Sequence, residues 1–513
     1  MSTPASAHVE PATFSGWQSE RSGFIGNLSG PGFALVAAAS AIALVPIHQK
    51  SWTAALICLP LAGVLLLLAY GRVLGLTADE WIVLAVRHQY AVATRRNLFF
   101  SGAFAPRTRD GRQPMDLPGS LARLHMLEAP DGLGGQLGIM HNPLEASYTA
   151  IARVTFPGLA LSDTAKQNAR VAGWAAFLRS QCKEDGVITR VAVHQRSLPD
   201  DGTALRSWTA RHTSPGAPAV AVESLNELMA GAGPSATARE TYLAVTLSSS
   251  RARLAVKGAG GGQAGAAAVL VREITAMHGA LSSAGLQVLE WLSPNGVAQA
   301  IRTAYDPEEQ LAAAARDAAA EDPSWQGVAG GVLPEVAGPA AAETSWGVYR
   351  HDSAWTVTYQ VRGFPLSEVY ATFLTPLLRP RQNARRSLSL VYEPIGPSKA
   401  RNELAREKTK RQSARKLRAK TGRDESEDER REAETARAQD IARAAGHGVV
   451  RLTGVLAVTV TDFEELETAC AELQADASEA GLTLRRIWGA QDSGFAVAAL
   501  PLAQGLPDRR VGI

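Results

Sequence analysis

Phe33–Ile47 reads FALVAAASAIALVPI and Trp52–Tyr70 reads WTAALICLPLAGVLLLLAY, and only the polar residues 48–51 lie between these two apolar stretches. A helix crosses the apolar core of a bilayer with about 20 apolar residues. The second stretch has that length, and the first reaches it when Gly30–Gly32 are counted. Two such stretches in tandem favour a transmembrane helical hairpin over a hairpin buried in a protein core. We therefore expect residues 31–76 to anchor the chain in a membrane.

Charges that flank the apolar stretches predict the orientation of this hairpin. The turn carries Lys50, whereas Arg87, Arg95 and Arg96 follow the second stretch. Basic residues are kept on the cytoplasmic side of a membrane. We therefore expect a multi-pass plasma-membrane protein whose N-terminal tail, residues 1–30, and whose bulk both face the cytoplasm. The side chains expected to contact lipid are Phe33, Leu44, Trp52, Leu59, Leu65 and Tyr70.

The segment after the hairpin predicts an amphipathic helix. Thr77 and Glu80 have the spacing of a capping box, in which the two side chains satisfy backbone N–H groups at a helix start. Ile82, Val86 and Tyr90 follow at helical spacing. This helix is expected at the inner membrane surface, and an ordinary helix of a folded domain is the alternative. The juxtamembrane part, residues 77–120 with its linker, carries Trp81, Arg87, Arg95 and Arg96.

Composition excludes several classes of protein. The formal net charge is +3 over 513 residues, which is mildly basic and carries no information about nucleic acid. Cys58, Cys182 and Cys470 are far apart in the sequence and form no disulfide framework or metal-binding motif, which suits a reducing cytoplasm. No cofactor and no metal are expected.

Comparison of the chain with itself indicates an internal repeat. Leu243–Leu247, LAVTL, begins a strand that is followed by a helix near 266–284, an Ala-Gly-Leu sequence and another strand. Leu456–Val460, LAVTV, begins the same succession with a helix at 462–479. Chance similarity of two short strands is the alternative interpretation. We interpret the repeat as two related modules, each a split βαβ unit of the ferredoxin-like kind over a mostly antiparallel sheet.

The predicted fold class is therefore α+β, with two cytoplasmic α/β modules behind the hairpin. The first module covers 121–326 and the second covers 344–513, and a linker rich in alanine, proline and glycine joins them at 327–343. In the first module we expect a helix over Asp163–Cys182 and a strand over Val187–Val193.

A highly charged arm interrupts the second module at residues 399–446. Its first half is basic as far as Arg423, and residues 424–434 are strongly acidic, so two antiparallel helices could pair opposite charges. The arm is either a solvated surface or a protein-docking element. Direct nucleic-acid contact is disfavoured because the acidic half offsets attraction to phosphate. The candidate partner-docking residues are Lys408, Lys410, Arg411, Arg415, Lys416 and Arg418.

Motifs for catalysis are incomplete. Val256–Gly265, VKGAGGGQAG, suggests a phosphate loop after a strand, but the Gly-Lys-Ser/Thr that would hold phosphate and magnesium does not follow. His351 next to Asp352, and His194 near Arg196, have no accompanying nucleophile or metal-ligand pattern. We therefore predict that the protein is not an enzyme. Two kinds of interaction protein are the leading classes, and an enzyme is the third.

Several segments carry a family resemblance in their order along the chain. They are TADEWIVLAVRHQY from Thr77, GIMHNPLEASYTAIARVTF from Gly138, WAAFLRSQCKEDGVITRVAVHQRSLPDDG from Trp174, YRHDSAWTVTYQV from Tyr349 and FAVAALPLAQGLP from Phe495. With the double apolar stretch they resemble PrgI-like membrane proteins of actinobacterial conjugative elements. They are also similar to the N-terminal, non-motor domain of type IV secretion conjugation ATPases.

The resemblance implies a docking subunit. In the ATPases a motor domain follows the Leu-Pro-Leu-like segment, whereas this chain stops within about a dozen residues of Leu500–Leu502. We therefore expect no ATP hydrolysis, and a membrane-anchored platform for a conjugation or secretion ATPase supplied in trans. Further expected partners are other secretion-channel membrane subunits and the lipid bilayer, with a homo-oligomer left open. The alternative is a membrane component of a type VII secretion system.

Overall fold

A 13-stranded antiparallel sheet runs through both predicted modules in the computed structural model. The structure describes residues 13–14, 30–49, 52–73, 76–102, 115–132, 134–156, 158, 162–199, 208–209, 211–232, 237–310, 312–313, 316, 331–365, 367–379, 381, 384–403, 405–406, 409, 437, 441 and 448–504. The α+β class is as predicted.

The strands and helices have the following bounds. The strands are β1 (Thr13–Phe14), β2 (Arg72–Val73), β3 (Leu76–Thr77), β4 (Leu98–Phe100), β5 (His125–Pro130), β6 (Gln136–Asn142), β7 (Ser147–Thr155), β8 (Ile188–Pro199), β9 (Thr237–Ser248), β10 (Gln287–Trp291), β11 (Ala341–Thr344), β12 (Tyr349–His351), β13 (Ala354–Gly363), β14 (Val369–Tyr370), β15 (Arg385–Ile395), β16 (Val449–Val460) and β17 (Thr483–Arg486). The helices are α1 (Gly30–Gln49), α2 (Trp52–Tyr70), α3 (Ala78–Ala93), α4 (Thr164–Gln181), α5 (Ala219–Ala232), α6 (Arg253–Gly258), α7 (Gly262–Ser283), α8 (Pro294–Tyr305), α9 (Leu466–Glu479) and α10 (Gln491–Ala498).

The two halves of the sheet repeat one topology. In the first half the strands lie in the order β10, β7, β9, β8, and in the second half in the order β17, β13, β16, β15. Each order places the fourth strand beside the first and the third beside the second, which is the ferredoxin-like succession. Helices α7 and α9 occupy matching places between the last two strands of each half.

The two halves, which the sequence predicted as modules joined by a linker, share one sheet. β8 and β15 pair antiparallel from Val191 with Tyr392 to Ser197 with Arg386. Part of the predicted linker 327–343 is ordered structure, since Ala341–Thr344 is strand β11. The physical reason is that the side chains of β8 are buried on both faces of the sheet. A buried strand of this kind needs a paired strand along each of its two edges.

Helices cover both faces of the sheet. On one face, α4 and α7 pack on the first half and α9 packs on the second, which gives two separate apolar cores. On the other face, α8 and α10 contribute to a single core that spans both halves. A side chain at Gly173 of α4 would lie 2.7 Å from the carbonyl oxygen of Ser283, so this glycine allows α4 to approach α7 closely.

The apolar stretches at the N-terminus form α1 and α2, which pack against each other. Among the described residues, however, the structure has no helix with both the length and the apolar character needed to cross a membrane. The predicted transmembrane hairpin over 31–76 and the multi-pass plasma-membrane location are therefore wrong. The part of α1 before Pro46, Gly30–Val45, spans about 24 Å at 1.5 Å per residue, against about 30 Å of hydrocarbon. Pro60 lies inside α2.

Candidate functional site

Two buried arginines meet at the C-terminal end of α8, where the halves of the sheet join. Arg196 of β8 donates from Nη1 to the carbonyl oxygen of Ala300, at 3.0 Å. Arg385 of β15 donates from Nη1 to the carbonyl oxygen of Thr303, at 2.6 Å, and from Nη2 to that of Pro307, at 2.9 Å. The last carbonyl groups of a helix have no partner within it and favour a cation nearby. Arg385 therefore caps α8, and Arg196 adds a donor to a carbonyl group one turn earlier in the helix.

Arg196 also forms an ion pair on its own face of the sheet. Its Nε donates to Oε2 of Glu240, at 3.1 Å, and its Nη2 donates to the hydroxyl of Tyr242, at 3.1 Å. Burial alone would raise the pKa of Glu240, but the charge and hydrogen bonds of Arg196 hold that pKa below its ordinary value. Burial, with Arg196 close by, lowers the pKa of Arg385 to about 9. Both arginines are therefore charged at neutral pH.

His351 lies on the other side of the C-terminal end of α8. Its Nε2 lies 2.7 Å from the hydroxyl oxygen of Thr356, and its Nδ1 contacts the carbonyl oxygen of Tyr305. The imidazole is fully buried, and its centre lies 4.6 Å from that of the Phe495 ring. Burial lowers the pKa of His351 to about 4. The ring is therefore neutral at physiological pH and is held on both nitrogens.

Asp352, next to His351, is held by hydrogen bonds within the fold. Its Oδ2 accepts from Nη1 of Arg302, at 2.8 Å, and its Oδ1 accepts from the backbone N–H of Ala340, at 2.7 Å. Its backbone has φ of 43°, a left-handed turn between β12 and β13. His351 and Asp352 thus serve separate contacts rather than forming an acid–base pair.

His194 is the other buried histidine that the sequence brings out. It lies on β8 opposite Tyr242 of β9 and Ser389 of β15, and neither ring nitrogen has a hydrogen-bond partner. Burial, with the charge of Arg196 two residues away, lowers its pKa well below the ordinary value. A neutral imidazole enclosed in this way has no route to a solvent-borne substrate. Across the described residues, no group of three or more histidines, cysteines or carboxylates is arranged to hold a metal ion.

We expect acid to destabilise the fold through His351. A lowered pKa means that the unfolded chain binds the proton more readily, so stability is present above pH 6.5 and is lost as the pH falls towards 4. Between pH 6.5 and about pH 4.5, His351 should account for about 2 kcal/mol of lost unfolding free energy. Urea unfolding at both pH values should show that the free energy of unfolding of His351→Asn changes less with pH than that of the parent chain. His278→Asn, at an exposed position on α7, should keep the dependence of the parent chain. If the free energy of unfolding of His351→Asn depends on pH as steeply as that of the parent chain, the role given to His351 in acid destabilisation is contradicted.

Of the predicted juxtamembrane residues, Trp81 packs against the second half of the sheet. The ring of Trp81 lies 5.6 Å from that of Trp346 and 5.9 Å from that of Trp488. The helix α3 that carries it begins as predicted, since the backbone N–H of Thr77 donates to Oε2 of Glu80 at 3.0 Å. Trp81 therefore fixes α3 to the protein's own sheet, which corrects its predicted place at a membrane surface.

The basic juxtamembrane residues have different surroundings. Arg87 faces Asp492 at the start of α10, where burial raises the pKa of the carboxyl and Arg87 opposes that effect. Arg95 has a positive φ of 55° in the turn after α3, and the guanidinium of Arg96 lies 5.6 Å from the centre of the Tyr90 ring. These three arginines do not form one site.

The remaining predicted positions divide between exposed and undescribed residues. Of the expected lipid contacts, Trp52 is 90% exposed, Leu65 is half-buried, and the other four are also exposed. All six candidate docking residues of the charged arm lie outside the described residues. The glycine-rich segment follows a helix, α6, and not a strand, and Gly261 precedes the first residue of α7.

Sequence reasoning missed the arginines of β15. Arg386 is buried and contacts Asp476 of α9, where burial would raise the pKa of the carboxyl but the guanidinium groups of Arg386 and Arg381 hold it below its ordinary value. A pair of arginines at the start of a strand pattern was the available signal. No protein-family model matches the chain, and no curated protein matches it.

Proposed function

We propose that this chain is a non-catalytic docking subunit of a type IV-like conjugation or secretion machine, in which it offers a platform to a separately encoded ATPase. The proposal rests first on the order of the five segments that resemble conjugation proteins. It is supported by the buried ionisable groups where the two halves of the sheet join, because these groups are bonded to other parts of the fold. Arg196 and Arg385 donate to carbonyl groups of α8, and Asp352 accepts from Arg302 and from the backbone N–H of Ala340.

The observation that carries the proposal is the placement of two connections of the sheet, the one from β8 to β9 and the one from β15 to β16. β8 ends at Pro199 and β15 ends at Ile395, and the two strands are antiparallel neighbours. The connections at 200–236 and 396–448 therefore start at opposite ends of the sheet, about 35 Å apart for eleven residues of strand. A duplicated sheet in which these two connections start at opposite ends suits a subunit that holds two neighbours at a fixed spacing.

The first test is co-purification. The chain should be co-expressed with a phosphate-loop ATPase encoded next to its gene, with an affinity tag on one partner only. Replacement of residues 399–446 by a short glycine–serine turn should weaken the complex at least about tenfold, or about 1.4 kcal/mol. The sheet should stay folded, because β15 and β16 are paired along eleven residue pairs without the arm.

A pair of matched variants separates docking from general charge. One changes Lys408, Lys410, Arg411, Arg415, Lys416 and Arg418 to alanine, and the other changes Asp424, Glu425, Glu427, Asp428, Glu429 and Glu432 to alanine. We expect only the basic set to weaken the complex. Equal binding by the parent chain and both variants would remove the arm from the proposal. Failure to recover any ATPase, or recovery with type VII core subunits instead, would contradict the proposed function, as would ATP hydrolysis by the purified chain.

A further inference from the structure

Two histidines face each other at the outer margin of the first half of the sheet. His125 lies on β5 and His141 on β6, and the antiparallel register places them directly opposite each other. Residues paired in this way have Cβ atoms about 4.5–5.5 Å apart on one face of the sheet. The centres of the two imidazole rings lie 6.3 Å apart, with an angle of 35° between the ring planes. The two rings are therefore close enough to contact one common atom.

A third ring fixes the orientation of one of the two histidines. Tyr148 of β7 is the register partner of His141, and their rings stack with centres 4.5 Å apart and planes at 20°. His141 is 8% exposed and Tyr148 is 5% exposed, whereas His125 is exposed. The exposed side chain can change rotamer rapidly. His141 is therefore held in place, and His125 can adjust to a ligand that arrives from solvent.

His141 also has an unsatisfied polar atom. Its Nδ1 is buried and has no hydrogen-bond partner among the described residues. Buried polar atoms are nearly always paired with protein, with ordered water or with an ion. A neutral imidazole nitrogen is the commonest metal ligand that proteins offer. The opposed pair therefore has the donor atoms of a metal site.

The spacing of the two rings suits a single metal ion. Metal–nitrogen bonds are about 2.0 Å long, so two imidazoles on one ion have centres roughly 4.5–6.5 Å apart, depending on the angle between the bonds. The distance between His125 and His141 lies within this range. The described residues include no group of three or more histidines, cysteines or carboxylates that could hold a metal, so water has to complete the coordination. Imidazole and water ligands suit Cu²⁺, which binds such sites more tightly than Ni²⁺ or Zn²⁺.

We propose that His125 and His141 form an exchangeable site for a divalent transition-metal ion, with Cu²⁺ preferred. One nitrogen of each ring coordinates the ion, and water occupies the remaining positions. Tyr148 is a positioning residue, because its ring holds that of His141. The site goes beyond the docking function proposed above and does not depend on it.

The test is a Cu²⁺ titration of the full chain, purified without a polyhistidine tag and freed of metal with a chelator. Competition with a chromophoric chelator should give one site with a dissociation constant of about 1–10 μM. Ni²⁺ and Zn²⁺ should bind at least about tenfold more weakly. Electron paramagnetic resonance of the Cu²⁺ complex should show nitrogen couplings from two imidazoles.

Three variants locate the site. His125→Ala removes an exposed ligand and should lower the Cu²⁺ affinity at least about tenfold. His141→Phe keeps a planar ring against Tyr148 and should lower the affinity to a similar extent. His278→Ala, at an exposed position on α7, is the matched control and should leave the affinity unchanged. Circular dichroism should show that the variants are folded.

Several results would overturn the proposal. They are no binding of Cu²⁺ below about 1 mM, an unchanged affinity in folded His125→Ala, or couplings from two imidazoles that persist in that variant. Equal binding by the parent chain and all three variants would show an adventitious ion only. If His141→Phe does not fold, the parent spectrum and His125→Ala still decide the question. The titration uses the chain alone, so its failure would leave the proposed docking of an ATPase untouched.

Discussion

We expect Arg196→Met to lower the free energy of unfolding by about 3–5 kcal/mol, as is usual when one partner of a buried ion pair is removed. Arg196 is 2% exposed and bonds both Glu240 and the end of α8. Methionine keeps much of the volume of the side chain but leaves a buried carboxylate without its cation. Urea denaturation at neutral pH measures the loss.

A surface ion pair of the same sheet provides the control. Arg153 and Glu290 lie 3.0 Å apart, and their side chains are 44% and 52% exposed. Arg153→Met should cost less than about 1 kcal/mol. The double variant Arg196→Met with Glu240→Leu should recover part of the loss, because no unpaired charge then remains. A loss below about 1 kcal/mol in Arg196→Met would show that this ion pair does not stabilise the fold.

Phe495→Ala should cost about 3–5 kcal/mol and should loosen the contact between α8 and α10. The ring is fully buried, and its centre lies 4.9 Å from that of Tyr305 and 5.2 Å from that of Tyr349. Removing it leaves a cavity between the two halves in the core that they share. Thermal unfolding measures the stability, and amide hydrogen exchange in α8 measures the loosening.

Phe463→Ala is the matched control for this second variant. Phe463 is 56% exposed and touches the ring of Trp355 at the edge of the second half. Its truncation should cost less than about 1 kcal/mol. A similar cost for the two phenylalanine variants, or exchange in α8 that stays as slow as in the parent chain, would contradict the role given to Phe495.

Elements with a strong local pattern were predictable from the sequence. The expected helix at Asp163–Cys182 is α4 at Thr164–Gln181, and the expected strand at Val187–Val193 begins β8. The repeated LAVT strands lie at the ends of β9 and β16, which extend well before them. These segments are buried on one face or on both faces. Such burial requires apolar residues at a regular spacing, and this spacing is visible in the local sequence.

Features that depend on distant pairing were not predictable. The union of the two halves depends on β8 and β15, whose paired residues lie nearly two hundred positions apart, and such pairing leaves no local pattern. The site at the end of α8 was missed for the same reason. His194, Arg196 and His351 were noted as isolated residues, and only the register of the strands brings them together. The hairpin was assigned to a membrane from apolar length alone.

The shared sheet also determines how the chain can be divided. Cut apart, each half would expose a long strand edge at β8 or β15, with apolar side chains on both faces and a row of unsatisfied amide groups. Such edges recruit other chains and aggregate. The outer margins of the intact sheet are instead short, with three residues in β4 and six in β5, the latter ending in proline. The protein should therefore be expressed whole, and a cut at residue 330 should yield insoluble halves.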